Sequence, residues 1–455
     1  MQLVAPQATE GENQLAQGLQ PGLRLGTERL VAPTAIGIPV VNDRNQNPHR
    51  SAPLPVKLAA STLVNAAQPL LQHEPARAQQ LIGQGLRLDP ALAAAYFNLG
   101  LALHHRGRIG AAIRAYRLAL KRAEGPHGDA LVQASALRNL AQDLLLCGRF
   151  REGWELYEHR LAERNHSLFE AQAGHAWRGL HDPRPLTRLL LVAEQGLGDT
   201  LMFCRLGISL QQHLNIPVSL LCQQPVQHIL RSATPLAQVS HCLSPSDLQP
   251  PGSRWCPLLS LPRCMHLNPA GMALQQPYLQ QDPALVEQWR LRLQRRPGLR
   301  LIALHWQGNP RHEGSLYSQG RSLPFEALVP LGQLPGVEFV SVQKGDGHEQ
   351  LRHDAGLQLV RGQQRVSASM EFSDTAAVLA NCDLLISADS AVVHLAGGLG
   401  LPAWVALCHV PEWRWGLQGE RTPWYPSLTL FRQGRAGDWG NVIGAMASRW
   451  RGLYH

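Results

Sequence analysis

The run from Asp383 to Gly400 joins an apolar segment to a helical one through two polar residues, Asp389 and Ser390. Its pattern predicts a buried strand over 383–387, a sharp turn and a short helix. A Gly400-Leu401-Pro402 stop follows, then a second apolar strand, Ala403–Leu407. Ser390 or Asp389 is expected to cap the helix, whose N–H groups and positive dipole end then face the mouth of a parallel sheet. Such an end suits a phosphate or diphosphate. At about 100° per residue, Val392, Leu395, Ala396 and Leu399 share one stripe, with His394 opposite them beside Ser390 and Ala391. A helix packed on a sheet with one polar histidine accounts for the same residues.

A second strand–turn–helix lies upstream. Leu189–Ala193 reads as a buried strand, broken by Glu194-Gln195-Gly196-Leu197-Gly198-Asp199 and followed by an amphipathic helix from Thr200. Leu201 stands where a dinucleotide fingerprint needs its third glycine. The turn instead offers an acid, Asp199, at the carboxyl end of a strand, expected to face the Ser390 helix end across a cleft. That pairing suits glycosyl transfer from a nucleotide-sugar. The acceptor hydroxyl needs a base, and the leaving diphosphate needs its growing charge stabilised. Asp199 can be the base; the Ser390 helix end, His394 and a cation can hold the leaving group. Lys344, past the end of a predicted strand in a chain with only two other lysines (Lys57 and Lys121), is a candidate phosphate or ribose contact.

Other chemistries lack their residues. No Asp-x-Asp, G-x-S-x-G or P-loop occurs. His348 and His353 flank Glu349 one residue too far apart for H-E-x-x-H, about 140° apart on a helix, so a zinc site is rejected and no metal or cofactor is expected. Eight cysteines are scattered without a C-x-x-C pair, as buried reduced thiols are. There is no signal peptide and no apolar run long enough to span a membrane. These point to a cytoplasmic protein. The 42 Lys and Arg against 33 Asp and Glu give a net charge of +9, nearly all of the excess from arginine. That suits an anionic ligand, and no basic cluster with interleaved aromatics points to nucleic acid.

At 455 residues the chain is long enough for roughly three domains. Residues 1–55 mix Gln, Asn, Pro and Gly without periodicity and read as a disordered leader. Residues 56–180 are expected to be a helical domain. Tyr96, Leu99, Gly100, Leu103, Gly107, Ile109, Ala112, Tyr116 and Ala119 have tetratricopeptide-repeat spacing. The pattern returns at Leu140, Ala141, Leu144, Gly148, Phe150, Gly153 and Tyr157, an offset of 140 − 99 = 41 residues that a longer loop at 124–129 explains. A weaker unit precedes them, with Ala78 and Ile82 in place. The array serves as a peptide-binding groove, a cap or a dimer surface. Pro183-Arg184-Pro185 marks a boundary. A first Rossmann-like unit is expected over 186–282, with strands at Val218–Cys222, Val239–Leu243 and Pro257–Leu261. A linker helix, Pro283–Arg296, leads to a second unit over 298–455, with strands Leu301–Trp306 and Val337–Val342. Its tail carries Pro411-Glu412-Trp413-Arg414-Trp415 and Thr422-Pro423-Trp424-Tyr425-Pro426, aromatics that either cover a sugar or base or lock the final helix onto the first unit.

The motifs Leu190–Asp199, Trp306–Pro310, Arg321–Pro324, Gln343–Gly345, Asp389–Ala396 and Trp424–Pro426 resemble those of bacterial tetratricopeptide-repeat proteins. Those proteins carry a C-terminal domain similar to glycosyltransferase family nine, the lipopolysaccharide heptosyltransferases. Gly153-Trp154 with Tyr157-Glu158, and Trp177 with Gly179, resemble the join between repeats and catalytic domain. The resemblance runs from about Ala94 to the C-terminus. It implies a GT-B pair of Rossmann-like domains, with acceptor in the first and donor in the second, and metal-independent, inverting transfer. It also implies Asp199 as base and Asp389, Ser390, Ala391 and His394 as the donor motif; Gln307, Arg321 and Lys344 are further candidate donor contacts. The chain departs from the pattern in two places. The loop before Arg321 reads Tyr317-Ser318-Gln319-Gly320, without the acid expected there, and the family's phosphate-binding lysine is unmatched unless Arg311 or Arg321 replaces it. The acceptor is then a glycan, a lipid-linked molecule or a protein, with the repeats free to bind it or another protein. The alternative is an inactive repeat scaffold that retains nucleotide binding.

Overall fold

A computed structural model describes residues 53–124, 129–161, 173–240, 251–269, 276–313, 320–352 and 356–454, without the side chains of 311, 312 and 352. Most of the expected leader, the tip of the 124–129 loop, the Tyr317-Ser318-Gln319 sequence, Cys242 and His353 therefore lie outside the described residues.

The first helices are α1 (Leu54–Ala67), α2 (Pro75–Leu88), α3 (Ala93–His105), α4 (Ile109–Arg122), α5 (Ala130–Leu146) and α6 (Phe150–Tyr157). They pack as successive pairs, α1 on α2, α3 on α4 and α5 on α6. Glycine sets the closeness of each pair. A Cβ at Gly100 would lie 2.3 Å from the Tyr116 ring, and one at Gly153 2.6 Å from Leu145. At those two positions a residue without a side chain lets the helices touch; 41 residues away the matching positions hold Ala141 and Ala112, so the spacing repeats small residues at the crossing. Gly107 and Gly148 close the α3–α4 and α5–α6 turns with φ of +70° and +75°, a conformation that costs glycine little.

Two parallel sheets follow. The first has strands β1 (Arg188–Val192), β2 (Val218–Leu221), β3 (Gln238–Ser240) and β4 (Ser253–Pro257) in the order β3-β2-β1-β4. Helix α7 (Leu197–Leu214) follows β1, and α8 (Gln224–Ala233) joins β2 to β3. The last strand of this unit corrects the sequence expectation. Pro257–Leu261 is not a strand: the strand ends at Pro257, and Leu258–Cys264 is helical. Pro262 has no N–H to give a ladder and fits the first turn of a helix.

Helix α9 (Pro283–Leu293) leads to the second sheet, β5 (Arg300–His305), β6 (Val337–Ser341), β7 (Leu384–Ala388), β8 (Ala403–Leu407) and β9 (Leu428–Arg432), in the order β6-β5-β7-β8-β9. Its strands are buried almost throughout, as a parallel sheet covered on both faces requires. Helices α10 (Phe372–Ala380), α11 (Ala391–Gly398) and α12 (Trp439–Tyr454) flank it. The final helix packs on Phe325–Gln333 and on β8 and β9, with Trp450 against Trp404, so it covers the second sheet. One apolar cluster runs from α1 through the first sheet to one face of the second.

Side chains bind the helical array to the first sheet. Trp154 Nε1 donates to Leu267 O at 3.0 Å. Arg160, buried, donates to Glu194 Oε1 at 2.7 Å, to Glu158 Oε1 at 2.8 Å and to Ser260 Oγ at 2.9 Å. Among the described residues, no helix is long and apolar enough to cross a membrane.

Candidate functional site

The turn after β1 is pinned from several sides. Glu194, fully buried, accepts from Arg160 and from Leu259 N at 3.3 Å. Gln195 O accepts from Gln223 Nε2 at 2.6 Å, and Thr200 Oγ1 donates to Gln223 Oε1 at 2.8 Å. Asp199 is the third residue of α7, and its Oδ2 accepts from Gly196 N at 2.9 Å. An acid so placed satisfies a free N–H and complements the helix dipole.

The turn after β7 is built alike, with a different terminus. Ser387 Oγ donates to Ala388 O at 2.7 Å and lies 3.2 Å from Ser390 Oγ. Ser390 takes the extended N-cap conformation, yet no side chain caps α11. The expected cap by Ser390 or Asp389 is thus absent, because the Ser390 hydroxyl turns toward Ser387. Asp389 is buried, and its nearest cation is Arg321, Nη1 to Oδ2 at 4.0 Å. The Gln307–Gly308 loop adjoins it, since a Cβ at Gly308 would lie 3.9 Å from Asp389 O. Gln343 holds that loop: its Oε1 accepts from the backbone N–H of Trp306 and Gln307, both at 3.0 Å, and its Nε2 donates to Gln307 O at 2.8 Å.

The two turns meet. A Cβ at Gly198 would lie 3.4 Å from Ala391 Cα and 2.8 Å from His394 Cδ2. At this point there is contact where the sequence suggested a cleft. His394 is buried, with Nδ1 3.0 Å from Tyr425 Oη and its ring stacked on Trp415 at 5.4 Å. Burial first, then the guanidinium groups of Arg414, Arg205 and Arg321, push its pKa well below the usual imidazole value, so it is neutral. Its Nδ1 is thus taken up by Tyr425 and its Cδ2 edge faces Gly198 of α7, so the position sits deeper than a helix wheel suggests.

Lys344 sits on the same loop edge as Gln343, but its Nζ donates to Val366 O. Burial lowers its pKa to about 8 against the opposing field of Asp374. Of the residues singled out from sequence, Ala391 and His394 meet Gly198, the neighbour of Asp199 in the chain, and Gln307, Arg321, Asp389 and Ser390 line the adjoining loop edge. The Lys344 ammonium is turned away toward Val366.

Three residues were not among the site candidates read from sequence, although Glu412 and Arg414 stand in the aromatic tail quoted there. Arg414, carried on the buried Trp413–Trp415 turn, donates to Asp199 Oδ1 and to Glu412 Oε1. Burial opposes its charge, but Asp199 and Glu412 outweigh that and hold its pKa above the ordinary guanidinium value. Glu412 is itself pushed up by burial. Glu313 accepts from the Ser322 hydroxyl and, at 3.3 Å, from Ser322 N, and so supplies a carboxylate to the loop that had seemed to lack one. The aromatic residues around Arg414 pack inward. Trp413 lies edge-on to Trp154 at 5.2 Å and against Phe203 at 6.3 Å, and Trp424 and Tyr425 are buried. The tail aromatics therefore bind second unit, first unit and helical array together; α12 is not the element they lock. Among the described residues, no group of three His, Cys, Asp or Glu side chains is gathered as metal ligands.

No family model matches the chain. It is 27% identical over 388 residues to Protein FlbA of Caulobacter vibrioides, an alignment covering 81% of this chain and 63% of that protein. The chain thus spans less than two thirds of that relative's length. Among solved structures it is similar to E. coli ADP-heptose lipopolysaccharide heptosyltransferase II, with 11% identity, 58% of this chain and 98% of that chain covered, and a TM-score of 0.42. A glycosyl transferase family 9 protein from Veillonella parvula gives 10% identity, 57% and 88% coverage, and a TM-score of 0.39. A mutant of Thermobaculum terrenum O-GlcNAc transferase gives 13% identity and a TM-score of 0.26, over 87% of this chain and 92% of that one.

Proposed function

We propose that the chain is a glycosyltransferase of GT-B type that takes a nucleotide-sugar donor, with tetratricopeptide-like helix pairs that serve acceptor or partner binding. One observation supports the reading: Gly198, the residue before Asp199, at the carboxyl end of one parallel sheet, meets Ala391 and His394 of the helix that starts at the carboxyl end of another, the edge where open α/β sheets bind ligands. The motif resemblance supports the same roles. In the step, the acceptor oxygen bonds to the anomeric carbon as the bond from that carbon to the diphosphate oxygen breaks. The acceptor proton passes to an Asp199 oxygen, and the nucleoside diphosphate leaves as an anion beside the uncapped start of α11, where backbone N–H groups and the helix dipole favour its charge. Attack from the face opposite the leaving group makes the transfer inverting. The units are 56–180 for the repeats, 186–282 for the acceptor and 298–455 for the donor, with Asp389, Ser390, Ala391, His394, Gln307 and Arg321 around the nucleotide, Lys344 left out because its ammonium is held by Val366 O, and a cytoplasmic setting.

A scaffold that binds nucleotide without turnover is the second reading. The ion pair that occupies Asp199 favours it. A thermal-shift screen against UDP-, GDP-, ADP- and TDP-sugars identifies the donor, since a ligand that binds only the native state raises apparent stability. Hydrolysis of that donor by the wild type, lost in Asp199→Asn, supports transfer. Binding without turnover in either protein supports the scaffold.

A further inference from the structure

The Trp413–Trp415 turn sends three consecutive side chains to three different places. Trp413 packs on Trp154 of the helical array and on Phe203 of α7, Arg414 reaches Asp199, and Trp415 stacks on His394. With both flanking indoles buried, the turn cannot slide, and the Arg414 guanidinium lies 4.0 Å over the Trp413 ring. Asp199 is fixed at both oxygens, Oδ2 by Gly196 N and Oδ1 by the guanidinium. We propose that Arg414 is a positioning residue that acts through Asp199, with one guanidinium arm aligning the carboxylate and the other anchored on Glu412; this rests on the transfer reading above.

The second carboxylate explains how the arrangement survives a catalytic cycle. Once Asp199 takes the acceptor proton, its negative charge is gone, and a buried guanidinium left without a counter-charge is strongly destabilising. Glu412 Oε1 stays bonded to Arg414, and Glu412 Oε2 accepts from Arg414 N at 3.0 Å, so the guanidinium keeps its place until Asp199 ionises again. A carboxylate offers about four lone-pair sites, so two fixed contacts leave others for the acceptor. The planar fork of arginine can serve two carboxylates at once, and the point charge of lysine serves them less well.

The test is steady-state hydrolysis of whichever UDP-, GDP-, ADP- or TDP-sugar the wild type turns over, with melting curves for each variant. Arg414→Met is expected to lower kcat by at least about tenfold while donor KM stays within about threefold. Arg414→Lys should recover part of kcat. The Asp199→Asn/Arg414→Met double variant should be no slower than Asp199→Asn, because a residue that acts through another adds nothing once that other is gone. Losses that multiply in the double variant, or a change in KM with kcat intact, would overturn the assignment. Should the methionine variant fail to melt cooperatively, Arg414→Lys, alone and with Asp199→Asn, carries the same comparison. A wild type that hydrolyses no donor removes the transfer reading itself and this inference with it, an outcome distinct from multiplying losses in an active enzyme.

Discussion

The turns after β1 and β7 are the same construction with opposite endings. Each follows a buried parallel strand and opens a helix, and the two helix starts touch at Gly198 and Ala391. The α7 start is occupied by the chain itself, with Asp199 on Gly196 N and Arg414 on Asp199. The α11 start has no side-chain cap, and the nearest acid, Asp389, lies 4.0 Å from Arg321. Two adjacent positive helix ends repel one another, and a carboxylate on one relieves that repulsion while the other stays open to an incoming anion. On the proposed reading, proton chemistry belongs to one turn and anion chemistry to the other.

The sharpest way to break this contrast is Asp199→Asn, which keeps the shape and removes the charge. A drop of about 10²–10⁴ in turnover is expected, measured as released nucleoside diphosphate, with donor binding by calorimetry retained. A loss of binding equal to the loss of turnover would merge the two turns into one function. Next in size is the anchor of the first turn. Glu194→Ala leaves Arg160 buried without its main counter-charge and should cost about 3–5 kcal/mol in denaturant unfolding. A cost under about 1 kcal/mol would mean the turn is held by its backbone alone.

The second turn has its own handle in His305, in register with Ser387 on the neighbouring strand. Burial lowers its pKa to about 4 from the model-peptide value of 6.5, so the unfolded chain binds the proton more readily than the folded one. Its contribution is complete above about pH 6.5 and is lost as pH falls, reaching about 3 kcal/mol by pH 4. His305→Asn should flatten the fall in melting temperature between pH 7 and 4; an unchanged slope would clear His305 of that role. Gly198→Ala places a Cβ 2.8 Å from His394 Cδ2 and should cost about 1–3 kcal/mol as the two helix starts are forced apart. The smallest effect is the most diagnostic. Ser390→Ala removes a hydroxyl that caps nothing, so it should cost under about 0.5 kcal/mol, less than the roughly 1 kcal/mol typical of a lost N-cap. A larger loss would show that the α11 start is capped after all.

Much of this was legible in the residues. The alternation of apolar runs and glycine turns located most of the strands to within a residue or two, because buried parallel strands have few ways to be written. Leu99-Gly100 and Tyr116 marked a helix crossing through a size rule that the 2.3 Å approach makes plain. The Pro257–Leu261 error came from apolar residues that a buried helical turn uses as readily as a strand. The contacts that shape the site were harder to read. Arg414 meets Asp199 from 215 residues away, and no periodicity links them. Glu313 was overlooked because the acid was sought beside Arg321, whereas it reaches Ser322 from nine residues upstream. A lysine in a lysine-poor chain drew attention to Lys344, yet composition says nothing of where an ammonium points.

Trp413 has a further consequence for how the molecule can be cut. Its indole is only 2% exposed because Trp154 and Tyr157 of the array cover it from one side and Phe203 and Trp424 from the other. Expressing the sheets from residue 183 onward would peel away one wall and leave that ring in water beside the Arg414 pair. Such a fragment should aggregate or bind hydrophobic dyes, whereas the full chain should melt in one step with its helices and sheets giving way together.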